Sequence, residues 1–458
     1  MQLTREVTRL TTMTKYSKPI IRVSPPGPNA RYWIEQDHQF LSTSLSRTSD
    51  LVAASAQGAF VVDVDENVFL DFGSGLSVTI MGHNHPKVVE AIHRQADMLI
   101  HANSCDYLTL PQIEYARRLT ALSPGKFPKR VFFSNSGTES IECGIKAAKF
   151  KTRKPGMVAF VGGFHGRTMG SLALTSSSAV SRRGYISSLM PNVAFSPYAY
   201  CYRCPFSQVE ESCGMECLSY LENWVLGKVM PIEECAAILV EPLQGAGGYI
   251  VPPKKFLQGI QEICRKYDIL LMVDEVQTGF CKTGNYFASQ TFEITPDILC
   301  LSKAIAAGLP MGVTVTRAEL LEWELNTHEN TLGGNPIVVA AALAVLDVLE
   351  NEKLAEAAVR IGELLTHGFR RFQERHPVIG DVRNAGSMIG VEFVTDPETK
   401  KPASAFRDRF IKGCFQRGLL TLGAGPSSVR LSPPLILSEE EVQIGLEIIE
   451  EVLKTESG

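Results

Sequence analysis

Two segments of this chain end apolar runs on residues equipped for chemistry. LMVDEVQTGF (271–280) delivers Asp274 and then Gln277, and LCLSKAIAAGLP (299–310) delivers Ser302 and Lys303. Runs of this composition read as strands buried on both faces. An acid and a lysine therefore stand at the mouths of two strands. A buried carboxylate is costly without a cationic partner, and the protonated nitrogen of an aromatic ring is such a partner. A lysine in a dry pocket loses proton affinity and becomes a nucleophile toward aldehydes. Two arrangements satisfy the pair equally well. Asp274 and Lys303 form an ion pair with each other, or they hold opposite ends of a ring cofactor that carries an aldehyde.

Three further segments bear on that choice. In VFFSNSGTESIECGIKAAKF (131–150) a short strand runs into Ser136, Gly137 and Thr138, and an apolar-periodic helix follows. The free N–H groups of a helix start make an anion cradle, although helix capping alone also accounts for Ser-Gly-Thr. In FVGGFHGRTMGSLALTSS (160–177) glycines flank Phe164 and His165, so the backbone can approach a ligand closely. Phe164 can stack on a flat ring, and Arg167 presents a fork suited to a carboxylate. A tight turn with a core phenylalanine and a surface arginine is the plainer reading. His165 is expected to satisfy a backbone carbonyl rather than touch a ring. In HENTLGGNPIVVAAALAVL (328–346) Thr331 precedes two glycines, and Pro336 opens a long apolar helix.

The ordered set SGTES, FHGRT, EPLQGAGG, DEVQTG, SKAIAAGLP, TLGGNP and VRLSPPL closely resembles the class III (omega-amino acid) aminotransferases, from about Arg47 to the C-terminus. By motif the resemblance is strongest to 4-aminobutyrate aminotransferases. It implies the aspartate-aminotransferase-like α/β fold (PLP fold type I), with a large domain built on a mostly parallel sheet and a smaller α+β domain. It implies pyridoxal 5'-phosphate as cofactor, with Lys303 holding the aldehyde as a Schiff base and shuttling the proton. Asp274 then bonds the ring nitrogen, Gln277 lies near the phenolic oxygen and Phe164 stacks on the ring. Ser136, Gly137 and Thr138 bind the phosphate. Thr331 reaches the phosphate of a neighbouring subunit, so the resemblance also implies a homodimer, or a tetramer, with shared sites.

Glu241, in the EPLQG motif, lines the pocket. Arg167 matches the arginine that binds the substrate carboxylate remote from the amine, and Arg430 the one that binds the α-carboxylate. Two such clamps suit a dicarboxylate such as 2-oxoglutarate. The expected reaction moves the terminal amine of an omega-amino acid, 4-aminobutyrate foremost, to 2-oxoglutarate. One departure stands out: the family often has a glutamate that pairs with the late arginine, and this chain has Ala246 there. Ornithine or acetylornithine aminotransferases, omega-amino acid:pyruvate aminotransferases and PLP-dependent racemases are the alternatives, with a catalytically silent binding paralogue as the non-enzyme reading.

The elements that must position these residues follow from periodicity. Phe60 begins an alternating stretch that turns at Asp65, Glu66 and Asn67, which suggests a hairpin. A helix opens at Pro86. From about residue 90 to 340 strand and helix patterns alternate, as in a sheet covered on both faces. A strand about Val391, a helix from about Phe406, a strand at Val429 and a closing amphipathic helix from Glu439 complete the chain. The expected division is an N-terminal arm with part of the small domain (1–85), a large cofactor-binding domain (86–340) and a C-terminal small domain (341–458).

Composition excludes several classes. The formal net charge of −4, from 45 basic and 49 acidic residues, leaves no polybasic footprint for nucleic acid or membrane. The longest apolar run, 336–346, is too short to span a bilayer. The N-terminal residues lack the apolar core of a signal peptide, and Met13 offers an alternative start. A cytoplasmic location fits the 11 cysteines as free thiols. Cys201, Cys204, Cys213 and Cys217 are spaced C-x2-C-x8-C-x3-C. The spacing resembles a zinc knuckle, but the second pair is wider than usual, and a surface insertion of thiols without metal is the preferred reading.

Overall fold

The computed structural model describes residues 16–456. The N-terminal leader and alternative-start readings fall outside the described residues. The large sheet orders its strands Lys129–Ser134, Gly312–Arg317, Ile298–Leu301, Leu270–Asp274, Cys235–Val240, Gly156–Phe160 and Val193–Ser196. All neighbours are parallel except Gly312–Arg317, which runs against both of its own. The mostly parallel sheet expected from the alternating pattern is therefore present, with one reversed strand inside it.

The central strands are buried along their whole length, as in Cys235–Val240 and Ile298–Leu301. That explains why they lack the alternation of a half-exposed strand. Each Val, Leu or Ile so placed contributes about 1.5–3 kcal/mol relative to exposure. Helix Lys254–Tyr267 buries Phe256, Leu257, Ile260, Ile263 and Cys264 on one stripe and ends where Asp268 turns left-handed. Helix Gly137–Thr152 buries Ile141, Gly144, Ile145 and Ala148, and at Gly144 the Met272 side chain occupies the space a Cβ would need.

A second core gathers Phe60, Leu70 and Phe72 with Phe369, Phe393, Phe410 and Ile449. The expected hairpin is present as Phe60–Asp63 paired antiparallel with Val68–Asp71. Asp63 Oδ1 accepts the backbone N–H groups of Asp65 and Asn67 and so closes the turn. Val68–Asp71 also pairs in parallel with Leu419–Leu420, which ties the first part of the chain to the last. Beside it, Ile379–Ala385, Met388–Asp396, Ser428–Leu431 and Leu422–Ala424 form an antiparallel sheet. Helices Leu354–Gln373, Ser404–Gln416 and Glu439–Glu456 supply its apolar cover. Among the described residues no helix is long and apolar enough to cross a membrane.

Candidate active site

In a parallel sheet, ligands gather at the carboxyl ends of the strands. Asp274 ends one strand, and Lys303 follows the next after a single residue. Ser136 and Gly137 follow the edge strand, and the Gly162–His165 turn follows Gly156–Phe160. The reversed strand enters at the same end, where Ser302 Oγ donates to the Met311 carbonyl at 2.7 Å. Four connections therefore converge on one rim.

Asp274 is buried and makes no ion pair with Lys303 among the described residues. Its Oδ2 lies 2.7 Å from His165 Nδ1, and its Oδ1 accepts the Val276 N–H at 2.9 Å. The carboxylate can only accept, so Nδ1 carries the proton. This corrects the expectation for His165. The ring does not serve a carbonyl. It serves a carboxylate at a strand end that needs a donor, and the Gly162–Gly163 turn aims it there. The His165 N–H in turn donates to Thr175 Oγ1 at 2.9 Å, which fixes the ring's backbone.

Lys303 takes a left-handed backbone, φ +48°, which costs a residue with a Cβ about 1–2 kcal/mol. Its amine is pushed down to about 8 by burial first and by the Arg430 guanidinium second, against the opposing pull of Asp274 and Glu241. Glu241 is buried and raised, because burial outweighs the attraction of His165. Its two oxygens accept the Phe164 N–H at 2.8 Å and the Gly245 N–H at 2.8 Å, so it ties two loops together. Phe164 is half-buried, and the exposed Arg167 lies 5.6 Å over its ring.

Ser136 caps helix Gly137–Thr152, its Oγ accepting the Glu139 N–H at 3.3 Å. The first N–H groups of a helix have no carbonyl partner within it, so Gly137 and Thr138 present theirs at the rim. At Gly137 a Cβ would stand 2.8 Å from Val276 Cγ1, which brings this helix start against the Asp274 strand end. The Thr138 hydroxyl is engaged with Thr168 Oγ1 at 2.7 Å and Ser171 Oγ at 2.6 Å. Thr331 sits apart in an exposed loop.

Gln277 is buried, and its Nε2 donates to Tyr249 OH at 2.9 Å and Ser77 Oγ at 3.1 Å. Arg430 lies 5.9 Å from the Tyr249 ring, is half-buried, and has a buried Nε with no hydrogen-bond partner. It lines a cavity of about 1130 Å³ with Gly73, Leu76, Ile411 and Leu422. Ala246 is nearby through its carbonyl, which accepts the Gly425 N–H at 2.9 Å, and it offers Arg430 no acid. Sequence reasoning missed Tyr249, Ser77 and Ser432. Ser77 and Tyr249 lie outside the motifs and Ser432 inside VRLSPPL, and all three act through contacts between distant segments that the motifs do not show.

A ring with an aldehyde and a phosphate fits these residues. A buried carboxylate, a lysine of lowered proton affinity and a helix N-terminus converge at the rim, and the small residue at Gly137 keeps the cradle open. The cysteine segment 201–217 lies elsewhere. Its four cysteines are free thiols around one cavity, and among the described residues no group of His, Cys, Asp or Glu is arranged to hold a metal.

The aminotransferase class-III family model matches residues 43–453. A probable 4-aminobutyrate aminotransferase of Bacillus subtilis is 36% identical over 92% of this chain and 97% of its own length. An alanine/serine racemase of Pyrococcus horikoshii is 36% identical over 95% of this chain and 93% of its own. The structure of the omega transaminase from Pseudomonas jessenii in complex with PMP superposes with a TM-score of 0.86 at 29% identity, covering 92% of this chain and 97% of that one. With a sheet of this topology and a rim of these residues, the chain belongs to the class-III aminotransferases, pyridoxal-phosphate-dependent transaminases of fold type I.

Proposed function

We propose that the chain moves the terminal amine of an omega-amino acid, 4-aminobutyrate foremost, to 2-oxoglutarate. The observation that carries this reading is a pair of arginines without acidic partners among the described residues. Arg430 is half-buried near Lys303 with its Nε enclosed, and Arg167 is exposed over Phe164. A guanidinium whose Nε is enclosed without a hydrogen-bond partner is unfavourable, so a bound carboxylate relieves it. A dicarboxylate acceptor satisfies both groups. The similarity to the Bacillus subtilis relative supports the amine donor.

In this reading Asp274, oriented by His165, keeps the ring nitrogen protonated. Gly137 and Thr138 hold the phosphate through their N–H groups, with Ser136 shaping the turn. Phe164 covers the ring face and Gln277 borders its oxygen. Lys303 anchors the aldehyde and moves the proton at the amine-bearing carbon through Nζ. Glu241 keeps the Phe164 and Gly245 loops in register around the substrate. Thr331 serves the site of a second copy. Pyridoxal phosphate, when bound, supplies the electron sink that makes the carbon–hydrogen bond beside the amine breakable.

Ala246 favours a second reading, racemisation of an α-amino acid. With no acid to neutralise Arg430, every substrate that carries an α-carboxylate gains, and one without it leaves the guanidinium unpaired. The similarity to the Pyrococcus horikoshii racemase supports this reading. A panel of amine donors with 2-oxoglutarate and pyruvate decides between them. The first reading expects 4-aminobutyrate with 2-oxoglutarate to turn over fastest, and Arg167→Ala to lose that acceptor while keeping the cofactor's absorbance. Loss of optical activity from a single amino acid without any acceptor would establish the second.

A further inference from the structure

One of the largest fully buried side chains of this molecule is a lysine. Lys282 has an exposure of 0 %. Its Nζ donates to Ser432 Oγ at 3.1 Å, and it makes no carboxylate ion pair among the described residues. Its carbonyl accepts the Ser387 N–H at 2.9 Å and the Ser387 hydroxyl at 3.3 Å, so the backbone is pinned and only the amine reaches inward. Burying an unpaired amine opposes folding, and an apolar chain of the same length would avoid that cost. The contacts made by the amine therefore need a different explanation.

Those contacts lead to the reactive centre. Ser432 is a hydroxyl neighbour that acts electrostatically on the Tyr249 hydroxyl. That hydroxyl also meets Ser77 Oγ at 2.9 Å and accepts from Gln277 Nε2 at 2.9 Å. The face of the same tyrosine ring lies against Arg430. Tyr249 thus touches both the residue assigned to the cofactor's oxygen and the residue assigned to the substrate carboxylate. From the other side, Arg383 holds the Tyr249 carbonyl at 2.9 Å and is itself paired with Glu392, whose other partners are Arg203 and Tyr200. Tyr249 is gripped at its backbone by that network, and its hydroxyl is held by Gln277 and Ser77 with Ser432 beside it.

We propose that Lys282 is a positioning residue: through Ser432 it fixes the Tyr249 hydroxyl, and with it the Gln277 amide and the ring against which Arg430 lies. The inference rests on the assignment of Lys303, Gln277 and Arg430 to the reactive centre. Burial and the field of Lys303 both lower the proton affinity of Lys282, which disfavours its charge and leaves its hydrogen bond to Ser432 as its contact.

The test uses the cofactor-loaded protein and follows the pH midpoint of its absorbance band. Lys282→Met is expected to move that midpoint by about 0.5 unit or more, the scale of a lost hydrogen bond beside a titrating group. The cofactor-free variant should melt no lower than wild type, because an unpaired amine has been replaced by an apolar chain. Ser432→Ala keeps the lysine but breaks the link, and it should move the midpoint in the same direction. It also serves if Lys282→Met fails to fold. Wild-type midpoints in both variants overturn the proposal, and so does a shift in Lys282→Met with none in Ser432→Ala. Lys303→Ala is the separate control: a band that survives in it removes the site assignment itself.

Discussion

Lys303 experiences opposing fields, and the balance has a measurable sign. Burial and Arg430 lower its proton affinity to about 8, while Asp274 and Glu241 raise it. The folded value lies below the ordinary lysine value of 10.5. Between those two values the unfolded chain binds more protons than the folded one, so stability of the cofactor-free protein rises with pH across that window. Below about 8 the whole penalty is present, on the order of 3 kcal/mol. Lys303→Met removes the amine. Urea unfolding of the cofactor-free proteins should find the variant more stable at pH 7 and its advantage shrinking toward pH 10. A variant no more stable than wild type at pH 7 would show that the pocket does not penalise the charge. Asp274 illustrates the complementary case. Both of its oxygens are satisfied in the interior, one by His165 Nδ1 and one by the Val276 N–H.

Helix Gly137–Thr152 joins the anion cradle to the sheet, and its first residue sets their separation. At this first helical position Gly137→Ala gains little helix propensity, and the new Cβ stands 2.8 Å from Val276 Cγ1 and forces the two apart. Val276 lies between Asp274 and Gln277, so the displacement reaches both. The expected outcome is a cofactor affinity lowered by about tenfold with a melting temperature close to wild type. Titrating the cofactor-free variant with pyridoxal phosphate, followed by absorbance, checks it; unchanged affinity would mean the cradle is not set by this contact. Elements of this kind were legible in the sequence. The Asp274 and Lys303 strands announce themselves as unbroken apolar runs, and Ser136 marks a helix start by its capping chemistry. The reversal of Gly312–Arg317 was not legible, because direction leaves no trace in the composition of a strand buried on both faces. The pairing of Leu419–Leu420 with Val68–Asp71 was equally hidden, since it depends on where the chain returns. His165, Tyr249 and Lys282 escaped for the same reason. Their roles lie in partners that are far away in sequence, and only the fold brings those partners together.

At the scale of the molecule, one face is too apolar to be left in water. Leu108 and Leu110 are 87% and 84% exposed, and Ile100, Tyr107 and Leu332 are exposed with them. Contiguous apolar patches on a soluble surface mark association. Contacts join the segments that carry them: Ser104 Oγ donates to the Gly333 carbonyl at 3.3 Å, and Cys105 Sγ to the Asn330 carbonyl at 3.6 Å. Thr331 lies in the second segment, next to Leu332, and is itself exposed. A second copy docking on this face would bury the leucines and carry Thr331 toward its partner's phosphate cradle. Three measurements follow. Sedimentation of wild type should give a dimer. Leu108→Glu with Leu110→Glu should give a monomer that also retains pyridoxal phosphate poorly on dialysis. Thr331→Ala should stay dimeric and still release the cofactor faster than wild type. A monomer that holds the cofactor as tightly as the dimer would show that one chain completes its own site, and Thr331 would then lose its assigned role.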